Sequence, residues 1–92
     1  MIKSFRHKGL KLFFETGKIS GIQASQAHKI RQILGLLDVA TDYKDMDLPM
    51  FRLHELKGSR KGIWSVRVSG NWRITFKFIG SDAEIVNYED YH

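Results

Sequence analysis

Two short segments of the chain combine histidine with residues that can act on a phosphate. His54 stands three residues before Lys57, and His92 directly follows Asp90 and Tyr91. Imidazole can accept or donate a proton near neutral pH, and lysine can stabilise negative charge that develops on a phosphate. Tyrosine can stack on a nucleic-acid base. These residue types fit proton-transfer chemistry on a nucleic acid.

RNA is a substrate for such chemistry, because its 2′-hydroxyl can attack the adjacent phosphorus without a metal ion. The site needs a base for that hydroxyl, an acid for the departing 5′-oxygen and cations beside the phosphate. Arginine supplies the cation with a bidentate fork. The chain contains all of these parts: His54, Lys57, Arg60, Arg67, Arg73, Asp90, Tyr91 and His92. Composition alone leaves open a basic surface that binds nucleic acid without cutting it, with Tyr91 and His92 as a frayed end.

Metal and thiol chemistry are not predicted. The four histidines, at positions 7, 28, 54 and 92, lack the spacing of metal ligands, and cysteine is absent. The longest apolar run near the start, 12–14, is too short for a signal-peptide core or a membrane span. We therefore expect a cytoplasmic protein that needs no cofactor and does not enter a membrane.

The positive charge is concentrated in residues 52–77. The whole chain has a net charge of +5, whereas this segment has seven basic residues and Glu55 as its one acid. The seven are Arg52, Lys57, Arg60, Lys61, Arg67, Arg73 and Lys77. Such a concentration is typical of a surface that contacts nucleic acid. An acidic protein partner would fit the charge almost as well.

A β-hairpin between Trp64 and Phe78 must position many of these residues. Apolar and polar residues alternate on both sides of Gly70, which predicts two antiparallel strands. A three-residue loop, 69–71, keeps one face fully apolar. It gives these pairs: Trp64 with Phe76, Val66 with Ile74, Arg67 with Arg73, and Val68 with Trp72. The polar face then carries Ser65, Arg67, Arg73, Thr75 and Lys77.

The predicted pair of Arg67 with Arg73 bears on function. Like charges directly opposite each other in a sheet are destabilising, by a few tenths of a kcal/mol or more. Two explanations fit the pattern: both side chains extend into water, or a polyanion lies over this face. The basic residues around the hairpin favour the polyanion.

Two helices and further strands are predicted around the hairpin. The segments are a short edge strand at 2–5, helices at 7–15 and 23–40, a loop at 41–49, a strand at 51–56, a basic turn at 57–62 and a last strand at 83–88. We predict one α+β domain over residues 1–92. Its antiparallel sheet is covered on one face by the two N-terminal helices and shows a cationic surface on the other.

Three segments resemble one family of bacterial toxins. They are Arg-Leu-His-Glu-Leu-Lys-Gly-Ser-Arg-Lys-Gly at 52–62, Trp-Ser-Val-Arg-Val-Ser-Gly-Asn-Trp-Arg-Ile-Thr-Phe at 64–76 and Asn-Tyr-Glu-Asp-Tyr-His at 87–92. The chain resembles HigB toxins of the RelE/ParE superfamily of type II toxin–antitoxin systems over nearly its whole length. The resemblance implies a RelE-like fold of the microbial-ribonuclease type.

The resemblance also implies a function and partners. Toxins of this kind are mRNA interferases, endoribonucleases that act in the A site of the 70S ribosome and inhibit translation. A HigA-type helix-turn-helix antitoxin would bind the toxin, and operator DNA would be contacted only through that antitoxin. The terminal motif implies that His92 transfers a proton, with Asp90 or His54 as its partner. Lys57 and Arg73 would stabilise the phosphate, and Tyr91 would stack on a base.

Beyond these six residues, the basic face is expected to bind RNA through Arg60, Lys61, Arg67 and Lys77. Two other functions compete with the nuclease. A ParE-like toxin poisons gyrase by binding and would leave His54 and the terminal motif idle. An inactive nucleic-acid-binding module would cause no growth arrest when expressed.

Overall fold

The computed structural model describes residues 1–91, so His92 lies outside the described residues. Two helices, α1 (Lys8–Thr16) and α2 (Ala27–Val39), precede a four-stranded antiparallel sheet. Its strands are β1 (His54–Glu55), β2 (Trp64–Ser69), β3 (Trp72–Ile79) and β4 (Asp82–Asp90), in the order β1-β2-β3-β4. Short 3-10 turns lie at Ala24–Gln26, Tyr43–Met46, Pro49–Phe51 and Gly58–Arg60. The α+β fold predicted from the sequence is confirmed.

Local hydrogen bonds explain where the helices begin and end. His7 accepts a hydrogen bond on Nδ1 from the backbone N–H of Leu10 at 3.0 Å, which caps α1. Gly17 ends this helix with φ 82 and donates its N–H to the carbonyl of Phe13. The second helix was predicted from residue 23, but the chain first forms a 3-10 turn and α2 begins at Ala27.

The register of the β2–β3 hairpin is confirmed except near its turn. Trp64 pairs with Phe76, Val66 with Ile74 and Arg67 with Arg73, as predicted. The predicted pair of Val68 with Trp72 is wrong, because Ser69 pairs with Trp72 and Val68 lies in a β-bulge. The bulge keeps Val68 buried and still allows the two-residue turn Gly70-Asn71. The bulge thus keeps one face of the hairpin apolar, which is the reason for which a three-residue loop was predicted.

Two other predicted strands differ in extent. The strand at 51–56 contracts to His54–Glu55, because Phe51 belongs to a 3-10 turn and Arg52 has left-handed backbone angles, φ 48 and ψ 51. Phe51 is fully buried, so its apolar character reflects the core and not a strand. The last strand extends to Asp90 and is longer than predicted.

The first six residues lie along the outer edge of β4. Ile2 and Phe5 form isolated parallel bridges with Ala83 and Val86. Backbone hydrogen bonds accompany them, for example from the N–H of Lys3 to the carbonyl of Ala83 at 2.8 Å. The predicted edge strand therefore occupies an edge, but it makes separate bridges and no continuous ladder.

Both helices cover the apolar face of the sheet. The fully or almost fully buried residues of this core include Leu10, Phe13, Ile30, Ile33, Leu34, Leu37, Val66, Ile74, Phe76 and Val86. The opposite face carries most of the polar residues of the hairpin, such as Ser65, Arg67, Arg73 and Thr75. No helix among residues 1–91 is long and apolar enough to cross a membrane.

Candidate active site

The register of the sheet places polar residues in two rows on the face opposite the helices. Residues directly opposite each other on neighbouring strands share a face. One row across the four strands contains His54, Ser65, Thr75 and Asn87, and the next contains Arg67, Arg73 and Glu89. The polar face predicted for the hairpin thus continues onto the strands at both edges.

Small hydroxyl residues form the floor of this face and charged residues cover it. Ser65 is fully buried and Thr75 is 2% exposed, although both point away from the helices. Burial of these side chains on the polar face means that larger groups lie above them. The face was expected to be open, but much of it is a layered polar surface.

A cavity of about 300 Å³ opens at the β1 end of the polar face. Its walls are formed by His54, Glu55, Leu56, Lys57, Arg60 and Tyr91. Three of the six residues predicted to be catalytic therefore meet at one cavity: His54, Lys57 and Tyr91. We call this space the β1 cavity.

Tyr91 connects the β1 cavity to the central arginine of the sheet. Its backbone N–H donates to the carbonyl oxygen of Asn71 at 2.7 Å, which fixes the chain just after β4. The guanidinium carbon of Arg73 lies 5.6 Å from the centre of the Tyr91 ring, within the range of a cation–π contact. On the other side, the rings of His54 and Tyr91 meet edge to face, with their centres 6.5 Å apart.

Arg73 has donors to spare within this cluster. Its Nη1 donates to Ser65 Oγ at 3.4 Å, and its Nε is buried without a hydrogen-bond partner among residues 1–91. An unsatisfied buried donor is costly and calls for an explanation. An anion that displaces the groups covering Nε would satisfy it.

Arg67 has a different environment from Arg73, although the two are paired in register. Its Nε donates to the carbonyl oxygen of Gly70 at 3.2 Å, at the hairpin turn. The like-charged pair is therefore accommodated by separate partners: a turn carbonyl for Arg67, and a hydroxyl and an aromatic ring for Arg73.

Glu89 is the acidic centre of the polar face. Its two carboxylate oxygens accept from Nη1 and Nη2 of Arg60 at 2.9 and 2.8 Å. Oε2 also accepts from Asn87 Nδ2 at 3.1 Å and from Thr75 Oγ1 at 3.4 Å. The hydrogen bonds from Arg60 hold the pKa of Glu89 below its usual value, against the opposing effect of burial. The same contact raises the pKa of Arg60.

Sequence reasoning missed Glu89, because an acid in a strand next to solvent is usually a surface residue. A signal was available. Extending the alternation of apolar and polar residues along the last strand places Glu89 on the polar face.

The remaining predicted residues lie elsewhere. Asp90 pairs with Trp72 and alternates to the face of β4 opposite Glu89. In agreement, the Asp90 charge contributes to a raised pKa of Tyr88, after the larger effect of burial. Lys61 and Lys77 are exposed and do not line the β1 cavity. His92 lies outside the described residues.

A buried network on the helix side supports the end of β4. Tyr88 donates its hydroxyl to Gln26 Oε1, and Gln26 Nε2 donates to Ser69 Oγ at 2.8 Å. The ring of Tyr88 stacks on Trp72, with centres 4.5 Å apart. This network ties α2, the hairpin turn and β4 together directly below the residues that lead to Tyr91.

Metal ligation has no evident place in this arrangement. Among residues 1–91, no three His, Asp or Glu side chains are grouped so that they could hold a metal ion. What the site offers is a histidine, a lysine, two arginines and a tyrosine around one cavity and its margin, a set suited to proton transfer and to binding an anion.

The family is decided by a match that spans almost all of the chain. Residues 3–92 match the model of the RelE-like toxin of type II toxin–antitoxin system HigB. The chain belongs to the HigB-like toxins. The resemblance noted in the sequence is thereby confirmed, and membership of a toxin–antitoxin family implies an antitoxin as partner.

Relatives of this HigB-like toxin agree with the family and the fold. The chain is 53% identical to endoribonuclease HigB of Proteus vulgaris over 92 residues, all of both chains. It is also similar to the crystal structure of a YafQ mutant from E. coli, with a TM-score of 0.59 and 18% identity. That alignment covers 98% of this chain and 93% of the other, and it shows the shared fold.

Proposed function

We propose that this HigB-like toxin is an endoribonuclease that cuts mRNA in the A site of the ribosome and so inhibits translation. Its family and the name of its Proteus vulgaris relative support the endoribonuclease activity. The proposed reaction is attack of the 2′-hydroxyl on the adjacent phosphorus, with release of the 5′-oxygen and without a metal ion. The reaction takes place in the cytoplasm, where the ribosomes are.

The convergence of His54, Lys57, Tyr91 and Arg73 carries this proposal. The first three line the β1 cavity, and the guanidinium of Arg73 lies against the Tyr91 ring. A phosphate at the mouth of the cavity is proposed to lie between Lys57, which lines the cavity, and Arg73, which lies against the Tyr91 ring. Both stabilise the negative charge that grows on the non-bridging oxygens during attack.

The buried Nε of Arg73 strengthens this assignment. It has no hydrogen-bond partner among residues 1–91, so a phosphate oxygen that displaces the groups covering it would gain a donor. Tyr91 is 38% exposed, and its ring can stack on a neighbouring base while it holds Arg73 in place.

The tautomer of His54 bears on the proton transfers. Its Nδ1 lies 3.3 Å from the carbonyl oxygen of Arg52. A carbonyl oxygen only accepts, so a hydrogen bond here places the proton on Nδ1 and leaves Nε2 as the basic nitrogen. We therefore propose His54 as the base for the 2′-hydroxyl and His92 as the acid for the 5′-oxygen, with Asp90 assisting His92.

The other basic residues are proposed to bind the RNA backbone farther from the reacting phosphate. Lys61, Arg67 and Lys77 lie outside the β1 cavity, on the loop, the central hairpin and the exposed part of β3. The antitoxin partner is proposed to be a HigA-type helix-turn-helix protein, which would contact operator DNA on behalf of the complex.

Cleavage of a message on programmed ribosomes tests the function. Wild type is compared with and without ribosomes, and with His92→Gln. Loss of a general acid slows cleavage by roughly 10²–10⁴-fold. His28→Gln makes the same chemical change at an exposed position of α2 and serves as the matched control. If wild type leaves the message intact while its expression still arrests growth, the nuclease proposal is wrong and a ParE-like action on gyrase takes its place.

A further inference from the structure

The loop that carries Lys57 is held firmly at its base. The backbone N–H of Leu56 donates to the carbonyl of Ile63 at 2.8 Å, which closes the loop. Glu55 accepts from the N–H of Gly62 through Oε2 at 2.9 Å. Between these contacts lie residues 57–62, which contain the 3-10 turn Gly58–Arg60. We call this segment the lysine loop.

One side chain connects the far side of the lysine loop to the sheet. Arg60 reaches β4 and forms two parallel hydrogen bonds with Glu89. The side chains of Arg60 and Glu89 are only 39% and 22% exposed, so this ion pair is partly withdrawn from solvent. Bidentate pairs of this kind are stronger and more specific in geometry than single contacts.

Glu89 is itself fixed from below and from the side. Its Oε2 accepts hydrogen bonds from Thr75 on β3 and from Asn87 on β4. Thr75 is almost fully buried, so this anchor belongs to the rigid sheet. The chain of contacts therefore runs from β3 and β4 through Glu89 to Arg60 and the lysine loop.

We propose that Glu89 and Arg60 are positioning residues that hold Lys57 at the β1 cavity beside His54 and Tyr91. The inference rests on the endoribonuclease function proposed above and goes beyond it by giving Arg60 a different task. Glu89 engages one N–H on each terminal nitrogen of Arg60, so the end-on fork of this guanidinium is occupied by the carboxylate. Its charge is also largely neutralised, and Lys57 and Arg73 remain as the cations that face the substrate.

A competing role for the same contact makes an opposite prediction. If Arg60 bound phosphate directly and Glu89 only masked it, Glu89→Gln would free a cation and strengthen RNA binding. If the pair positions Lys57, the same nearly isosteric change loosens the lysine loop and lowers the turnover number. The sign of the change therefore separates the two roles.

The test measures kcat and KM for message cleavage on programmed ribosomes. We expect Arg60→Ala and Glu89→Gln each to lower kcat by up to roughly 10²-fold, the scale on which small misplacements act. The double variant should be no worse than either single variant, because the two residues act as a unit. Lys61→Ala removes the same charge from the same loop, and it should mainly raise KM and retain kcat.

Dependence on Lys57 distinguishes positioning from a general effect on structure. In a Lys57→Ala background, adding Glu89→Gln should cause no further loss of kcat. A further loss of the full size would overturn the proposal, and so would a fall in KM for Glu89→Gln in the wild-type background. Circular dichroism of each variant confirms that it is folded.

Hydrogen exchange of the lysine loop keeps this inference separate from the proposed function. If wild type does not cut the message, the proposed function is wrong. The ion pair of Arg60 with Glu89 would still predict faster exchange of the amides of residues 57–62 in Glu89→Gln. Lys61→Ala should leave the protection of the other loop amides unchanged. Equal exchange rates in wild type and Glu89→Gln would refute the positioning role without reference to activity.

Discussion

The two faces of the sheet are made by the same strands and are built on different principles. On the helix side, Val66, Ile74 and Phe76 are completely buried among apolar neighbours. On the polar side, buried Ser65 and Thr75 lie under charged residues such as Arg73 and the ion pair of Arg60 with Glu89. Burial on the first face provides stability through the hydrophobic effect. Burial on the second fixes the positions of charges, and it leaves Arg73 Nε without a hydrogen-bond partner among residues 1–91. Adjacent positions of one strand can therefore serve stability and chemistry separately.

The largest effect that would sharpen this comparison is expected at His54. His54→Gln removes the proposed base and should slow message cleavage by roughly 10²–10⁴-fold. The melting temperature should stay close to that of wild type, because the side chain is only partly buried. Thermal unfolding and single-turnover cleavage together check this. A loss of stability that accompanies the loss of activity would show that His54 also supports the fold, so the two faces would not differ in this respect.

A loss of stability is expected on the other face. Ile74→Ala leaves a cavity in a core position that is fully buried and should lower the free energy of unfolding by about 2–5 kcal/mol. Ile79→Ala makes the same change on the same strand where the side chain is 58% exposed, and it should cost about 0.5 kcal/mol or less. Urea denaturation measures both. Similar values for the two variants would mean that β3 is not covered as the structure shows.

A smaller effect should separate the two arginines that face each other on the polar side. Arg73→Lys keeps the charge but loses the planar group that lies on Tyr91, and we expect kcat to fall by about tenfold. Arg67→Lys should reduce activity less, because Arg67 contacts a turn carbonyl and not the cavity residues. Cleavage kinetics at several salt concentrations check this order. The reverse order would move the reacting phosphate toward the hairpin turn.

The smallest effect is a change of stability with pH. The pKa of Glu89 is lowered in the folded state, chiefly by its hydrogen bonds with Arg60. The stability that this group provides is therefore present above its unfolded-state pKa and is lost as the pH falls through its folded-state value. Wild type should be more stable than Glu89→Gln at pH 7, and the two melting temperatures should approach each other under acid conditions below pH 4.5. A difference that does not change with pH would show that the carboxylate charge is not involved.

The sequence predicted the elements whose signals are periodic. Alternation with a period of two placed Val66 and Ile74 on one face and Arg67 and Arg73 on the other, because register leaves no freedom once one face is buried. The bulge at Val68 was missed, since an extra residue has no signature in a pattern of alternating types. The strand at 51–56 was overestimated, because a single buried aromatic residue, Phe51, resembles the start of an alternating run.

The site was predicted in its residue types better than in its roles. His54, Lys57 and Tyr91 were named together by their motifs and meet at the β1 cavity. A count of charges could not distinguish Arg73, which has a buried donor without a partner among residues 1–91, from Arg60, which is paired with Glu89. That distinction depends on which carboxylate lies across the sheet, and only the register of β4 supplies it.

The N-terminal residues beside β4 have a consequence for the behaviour of the toxin when it is released from its antitoxin. An uncovered strand at the edge of a sheet is a template for addition of another chain and for aggregation. Here the backbone of residues 1–6 occupies the first half of β4, and β1 at the other edge has only two residues. Among residues 1–91, the sheet thus offers only short stretches of backbone to a neighbouring molecule. A free toxin built in this way is protected against polymerising through its own strands while it acts.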